Sequence, residues 1–109
     1  MTDTEEIIQR MVSFRDERDW KQFHNAKDLS LAISIEAAEL NELFLWKKPE
    51  EVDGDKVKEE LADVFAFAFL MAEKYQFNVK EIIFDKMDKN AKKYPVNKAK
   101  GNATKYTEL

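Results

Sequence analysis

The chain has 109 residues and a mass of 12.8 kDa, which suits one domain and leaves no room for a second hydrophobic core. Hydrophobic residues make up 44% of the sequence and charged residues 37%, a balance that excludes a disordered chain. Only 2 Gly and 2 Pro are present, too few for the turns of a β-sandwich or barrel. We therefore expect an all-α protein with short connections, forming a single domain over residues 1–109.

The sequence has no cysteine, which excludes disulfides and thiolate metal sites. Its N-terminus is acidic, whereas a signal peptide begins with basic and then apolar residues. The longest nearly apolar run, Leu61 to Ala72, is too short to span a bilayer and contains Asp63. These features predict a cytoplasmic protein with no membrane partner.

The net charge of −4 argues against stable nucleic-acid binding, and the charges are unevenly distributed. Residues 36–63 contain ten acidic side chains against four lysines, and residues 86–105 contain seven lysines against one aspartate. Pairing of the acidic and basic segments with each other, or two solvated faces, would explain this distribution. A metal-binding centre followed by an anion-binding segment is the functional alternative.

Hydrophobic periodicity and capping residues predict four helices in a bundle-like arrangement. The first runs from Asp3 to about Arg18. The second is capped by Asp28 and continues to about Trp46 or Lys47, before Pro49. Between these two helices lies a loop rich in large rings, Trp20 to Lys27, which we call the ring-rich loop.

The third helix runs from about Lys56 to Tyr75 and is apolar almost all round between Leu61 and Ala72. A small monomer can hardly enclose such a helix, so we expect the fold to be completed by homo-oligomerisation. Asn78 caps the fourth helix, which ends near Tyr94 because Pro95 disfavours helix at the residue before it. Residues 96–109 are predicted to form a polar C-terminal tail.

Two short motifs place carboxylates in apolar surroundings. Glu36 and Glu39 on the second helix, and Glu60 and Asp63 on the third, are each spaced i, i+3 and so share one helix face. Unpaired carboxylates are strongly disfavoured in such surroundings, so a cation must compensate them. Oxygen ligands suit a hard divalent cation such as Mg²⁺. Solvated carboxylates on amphipathic helices are the alternative.

Other catalytic chemistries find less support in the sequence. A di-iron bundle needs Glu-x-x-His pairs, and the only histidine, His24, lies in the ring-rich loop without such a partner. The same histidine has no evident nucleophile for a catalytic triad. No glycine-rich phosphate loop is present.

The aromatic and basic residues suggest where a nucleotide would bind. If the second helix is continuous, Trp46 lies on nearly the same face as Glu39 and about 10 Å further along. Trp46 could then stack on a base together with Trp20, Phe23 or His24, although core packing is the commoner role of such rings. On the fourth helix, one polar face is a candidate phosphate site or simply a solvated stripe, and it is formed by Lys86, Asn90 and Lys93.

The spacing of the two carboxylate motifs resembles the signature of the MazG-type all-α nucleoside triphosphate pyrophosphohydrolases. Further segments resemble the dCTP pyrophosphatase-like branch of that family, and the resemblance covers nearly the whole chain. These segments are Arg18 to His24, Glu42 to Lys47, Lys86 to Asn90, Lys93 to Pro95 and Lys105 to Leu109.

The resemblance implies Mg²⁺-dependent hydrolysis of a (deoxy)nucleoside triphosphate, with Mn²⁺ as an alternative ion, to the monophosphate and pyrophosphate. The expected substrate is dCTP or a modified cytidine nucleotide, with dUTP and phosphoribosyl-ATP left open. A non-catalytic helical oligomerisation or partner-binding module that retains the fold is the alternative function. The family assembles as dimers or dimers of dimers with active sites shared between subunits, which implies a homo-oligomer.

The resemblance also assigns residues to roles. Metal ligands are Glu36, Glu39, Glu60 and Asp63, with Glu36 or Glu39 acting on the attacking water as the catalytic group. The base is expected near Trp20, His24 and Trp46. The phosphates are expected near Lys86, Asn90, Lys93 and Tyr94.

Overall fold

A computed structural model describes all residues, 1–109, and contains helices and turns without a β-strand. The predicted all-α class is therefore confirmed. The chain divides into two compact units, Met1–Gln76 and Phe77–Leu109, which are described separately. No helix is both long enough and apolar enough to cross a membrane.

The first unit contains the helices α1 (Asp3–Glu17), α2 (Ala26–Glu42) and α3 (Gly54–Lys74). Thr2 and Glu5 form a capping box that begins α1, in which each side chain accepts a hydrogen bond from the other residue's backbone N–H. Helix α3 packs mainly against α2 and also against α1. The buried hydrophobic side chains of this packing are Leu29, Leu70 and Ala72.

Both ends of α2 differ from the prediction. The helix begins at Ala26, because the side chain of Asn25 accepts a hydrogen bond from the Asp28 N–H and also donates to the Asp28 carboxylate. The predicted cap, Asp28, is therefore wrong. The regular helix ends at Glu42, and the following residues form tighter turns with i to i−3 hydrogen bonds.

Helix α3 begins at Gly54, two residues earlier than predicted, where the Asp53 side chain accepts a hydrogen bond from the Asp55 N–H. Within this chain α3 is not enclosed on every side, since Phe65 is 54% exposed and Leu61 is 39% exposed. Leu70 and Ala72, nearer its C-terminal end, are buried. The expectation that other copies cover the exposed part stays a prediction.

The second unit contains α4 (Val79–Lys93) and a one-turn helix, α5 (Val96–Ala99). Asn78 caps α4 as predicted, and α4 ends immediately before Tyr94. The segment after Pro95 is polar but partly ordered, since it forms α5 and a 3₁₀ turn at Tyr106–Glu108. Tyr106 packs edge-on against Tyr94, at 5.9 Å between ring centroids, and therefore ties the tail to the end of α4.

Candidate metal and nucleotide site

The two predicted carboxylate motifs meet where α2 packs on α3. One carboxylate oxygen from each of Glu36, Glu60 and Asp63 lies within 4.8 Å of the others. The fourth carboxylate, Glu39, is close enough to Glu36 and Glu60 to raise the pKa of both. We call Glu36, Glu39, Glu60 and Asp63 the carboxylate cluster.

The electrostatics of the cluster are those of crowded like charges. Burial raises the pKa of Glu36 from 4.5 to about 7, with further contributions from Glu39, Asp63 and Glu60. The pKa of Glu60 is also raised, first by burial and then by Glu39 and Asp63. The protein without a bound cation therefore disfavours the fully ionised cluster.

Two oxygens of the cluster have no partner within the protein. Glu36 Oε2 and Glu60 Oε2 are both buried and make no hydrogen bond. Buried polar atoms are almost always partnered, so these two oxygens fit a cationic or hydrogen-bond-donating ligand. With all-oxygen donors converging from two helices, the cluster could bind a metal ion.

An apolar cavity of about 290 Å³ lies next to the cluster and shares Asp63 with it. Its walls come from α1, the ring-rich loop and α3. The lining residues include Phe14, Arg15, Trp20, His24, Asp63 and Phe67. We call this space the apolar cavity. It brings two predicted base-binding residues, Trp20 and His24, together with a predicted metal ligand.

His24 closes one side of the apolar cavity. Its ring packs edge-on against Phe67 at 6.4 Å between centroids, and its Nδ1 atom is buried without a hydrogen-bond partner. Burial lowers the pKa of His24, and the nearby Arg15 cation lowers it further. A neutral imidazole with a free ring nitrogen is suited to hydrogen bonding with a polar edge of a ligand.

Trp20 is held by contacts on both its backbone and its ring. Its N–H donates to the Arg15 carbonyl at 3.1 Å, and its indole packs edge-on against Phe14 at 5.8 Å. The preceding residue, Asp19, has the uncommon left-handed φ of 55°, which turns the chain from α1 into the ring-rich loop.

Trp46 is not placed as the helical extrapolation predicted. It lies beyond the end of α2, where i to i−3 hydrogen bonds replace the α-helical spacing, so it no longer shares a helical face with Glu39. Its side chain is 94% exposed, which excludes a core-packing role within this chain. Its φ of 62° is a left-handed conformation that is strained for a bulky residue.

The predicted phosphate-binding residues belong to the second unit. Lys86, Asn90 and Lys93 lie on α4, and Tyr94 is its C-terminal cap, with its N–H donating to the Asn90 carbonyl at 2.9 Å. The Lys93 ammonium lies 4.9 Å from the ring centroid of Tyr106. These residues form one basic and aromatic group, and their phosphate-binding role stays a prediction.

Sequence reasoning missed Arg15, which is 5% exposed and is the buried charged residue of the chain. It contacts Asp16 and, across the packed helices, Glu73 on α3. The signal was present in the sequence, because Arg15 continues the i, i+3, i+7 spacing of Ile8 and Met11 and so places a cation on the apolar face of α1.

Comparisons with known proteins identify the family of this chain. The sequence model of the MazG-like family matches residues 31–109. The dCTP pyrophosphatase 1 of Bos taurus is 37% identical over 114 residues, which cover 96% of this chain and 67% of that protein. The Homo sapiens dCTP pyrophosphatase 1 is 35% identical, over 96% of this chain and 66% of its own length. The chain thus spans about two thirds of the length of these curated relatives.

A solved structure is similar as well. The crystal structure of a pyrophosphatase from Archaeoglobus fulgidus superposes with a TM-score of 0.82 at 36% identity, covering 87% of this chain and 94% of that one. The all-α fold and these relatives identify an all-α protein of the nucleoside triphosphate pyrophosphohydrolase class. This chain belongs to the MazG-like family.

Proposed function

We propose that this protein hydrolyses a deoxynucleoside triphosphate, dCTP or a modified cytidine nucleotide, to the monophosphate and pyrophosphate. The observation that carries the proposal is the shared wall at Asp63, which belongs both to the carboxylate cluster and to the aromatic-lined apolar cavity. The relatives named dCTP pyrophosphatase 1 support the choice of substrate.

The carboxylate cluster is the proposed site for Mg²⁺, with Mn²⁺ as the alternative ion. The unpartnered buried oxygens of Glu36 and Glu60 fit a hard cation. Bound Mg²⁺ neutralises phosphate oxygens and lowers the pKa of a coordinated water. The carboxylates of the cluster hold the ion, and Glu36 or Glu39 orients or deprotonates the attacking water.

The base is proposed to bind in the apolar cavity, between Trp20 and His24. The Nδ1 atom of His24 has no hydrogen-bond partner in the protein and would serve a ligand that offers a polar edge, and the Trp20 indole offers an apolar face for stacking. Trp46 is proposed to complete the base site from outside this cavity, since its exposed ring is free to cover a ligand. Lys86, Asn90, Lys93 and Tyr94 are proposed to bind the phosphates.

Assembly into a homo-oligomer, a dimer or a dimer of dimers, forms part of the proposal. A single chain buries only three hydrophobic side chains and leaves large ones such as Phe65, Phe84 and Met87 more than half exposed. Large exposed apolar side chains on both units are what a protein–protein contact would cover. We place the assembled enzyme in the cytoplasm.

The test is pyrophosphate release from a panel of triphosphates: dCTP, 5-methyl-dCTP, dUTP, dATP, dGTP and dTTP, each with Mg²⁺ and with EDTA. The proposal expects Mg²⁺-dependent turnover with the highest kcat/KM for a cytidine nucleotide. The matched control is Glu39→Gln, which keeps the shape of the side chain and removes its charge. Equal, negligible turnover of all six nucleotides by both proteins would favour a non-catalytic binding module instead.

A further inference from the structure

Arg15 occupies an unusual place for a charged residue. It is 5% exposed, and its guanidinium is bound on two sides, by Asp16 at 2.9 Å through Nε and by Glu73 at 3.1 Å through Nη1. Neighbouring Asp16 lies on α1 itself, but Glu73 lies on α3, 58 residues further along the chain. The side chain of Arg15 therefore links α1 to α3.

The backbone of Arg15 makes a second link, to the ring-rich loop. Its carbonyl accepts hydrogen bonds from the N–H of Trp20 at 3.1 Å and of Arg18 at 3.2 Å. The Trp20 carbonyl in turn accepts from the Phe23 N–H at 2.9 Å. One residue thus joins the loop that carries Trp20 and His24 to the helix that carries Glu60 and Asp63.

Arg15 also lies between two cavities. It lines the apolar cavity and a second, polar cavity of about 240 Å³, which is bordered by Lys21, Glu73 and Lys74. His24 and Leu70 line both cavities as well. A change in the position of Arg15 therefore alters the wall in which His24 is set.

Stability alone does not explain a buried arginine at this place. Well-packed hydrophobic residues usually serve as well as, or better than, a buried ion pair. The ion pair fixes the orientation of the Arg15 side chain relative to Glu73, because a guanidinium and a carboxylate bind in a defined geometry. Glu73 and Asp63 lie on the same helix, ten residues and about 15 Å apart along its axis. An ion pair with Glu73 therefore fixes the position of Arg15 relative to Asp63.

We propose that Arg15, held by Glu73, is a positioning residue that sets Trp20 and His24 at a fixed distance from the metal-binding end of α3. This inference rests on the proposed function, because it assigns the base to the ring-rich loop and the metal to Glu60 and Asp63. Arg15 lines the apolar cavity and acts by holding the loop, through its backbone carbonyl and through its ion pair with Glu73. Loss of the pair weakens base binding and leaves metal binding unchanged.

The kinetic test compares Glu73→Ala with Glu73→Gln, which retains an oxygen that accepts a hydrogen bond from Arg15. For Glu73→Ala we expect KM for dCTP to rise by roughly ten- to hundredfold, the scale of losing one base-stacking contact, with kcat changed far less. The Mg²⁺ concentration for half-maximal activity stays the same. Glu73→Gln recovers most of the loss.

The control variant is Lys58→Met, which removes an exposed ion pair with Asp55 on the same helix and is expected to behave as wild type. A merely structural role for the pair predicts a different pattern. Glu73→Ala would then lower the thermal midpoint but leave KM unchanged at temperatures where the variant is folded. That pattern, or an equal loss in Glu73→Gln, would overturn the proposal.

A second measurement needs no substrate and so separates this proposal from the proposed function. In a Trp46→Phe background, Trp20 is the only tryptophan, and acrylamide quenching reports its accessibility. Adding Glu73→Ala should raise the quenching constant, and adding Lys58→Met should not. Unchanged quenching with a normal thermal midpoint would show that the ion pair does not hold the loop, whatever reaction the protein catalyses.

Discussion

Replacing Glu36 by Gln should stabilise the metal-free protein at alkaline pH. The pKa of Glu36 is raised from 4.5 to about 7, chiefly by burial and by its neighbours in the carboxylate cluster. A carboxyl with a raised pKa in the folded state contributes stability that is complete below pH 4.5 and is lost as the pH rises through 7. Wild-type protein without metal should therefore become less stable between pH 5 and pH 8.

The size of the effect follows from that pKa. At 1.36 kcal/mol per pKa unit, ionising Glu36 in the folded state costs at most about 3.4 kcal/mol at pH 8. The side chain is partly exposed, and solvent screening reduces this to about 1–2 kcal/mol. Glu36→Gln removes the cost, so its thermal midpoint in EDTA at pH 8 should exceed that of wild type by roughly 4–15 °C.

The assay is thermal unfolding in EDTA at pH 5 and pH 8, repeated with saturating Mg²⁺. The advantage of Glu36→Gln should shrink steeply at pH 5, and Mg²⁺ should stabilise wild type more than the variant. Glu42→Gln, on the same helix and outside the cluster, serves as the control and should show no such pH dependence. If Glu36→Gln were less stable than wild type at pH 8 in EDTA, the reasoning from burial and like charge would be refuted.

Three further predictions concern the remaining parts of the site. Glu39→Gln and Asp63→Asn should each keep the fold but lose Mg²⁺-dependent pyrophosphate release from dCTP; near-normal turnover in saturating Mg²⁺ would remove that residue from the metal site. Trp46→Ala should change the free energy of unfolding by less than about 0.5 kcal/mol, because the ring is exposed. KM for dCTP should rise roughly ten- to hundredfold. A large drop in the thermal unfolding midpoint with unchanged KM would contradict this. Light scattering at low micromolar concentration should give at least twice 12.8 kDa, and a stable, active monomer would exclude the shared assembly.

The carboxylate cluster could be predicted from the sequence because each of its two motifs is recognisable within a few consecutive residues. The i, i+3 spacing fixes which side chains share a helix face, and apolar neighbours indicate that the face is buried. Glu36, Glu60 and Asp63 accordingly meet in the structure. Asn78 was found for the same reason, since a capping residue hydrogen-bonds to a backbone N–H only three positions away.

The features that were not predicted depend on a choice between alternative helix ends or capping residues, or on contacts with residues distant in the sequence. Residues 43–47 contain neither Gly nor Pro, so the sequence gives no sign that α2 ends at Glu42. Asn25 and Asp28 are both good caps, and only their mutual hydrogen bonds decide between them. The burial of Arg15 depends on Glu73, which lies 58 residues away.

The wall shared by the two cavities has a consequence for inhibitor design. The apolar and polar cavities hold about 290 and 240 Å³, and each is smaller than most small-molecule sites. Arg15, His24 and Leu70 line both, so a ligand larger than either cavity would have to contact this shared wall. Such a compound would carry an aromatic group on the Trp20 side and an acidic group beyond it, where Lys21 and Lys74 border the polar cavity. Part of its selectivity would then come from the polar cavity, whose lining residues lie outside the proposed metal and phosphate contacts.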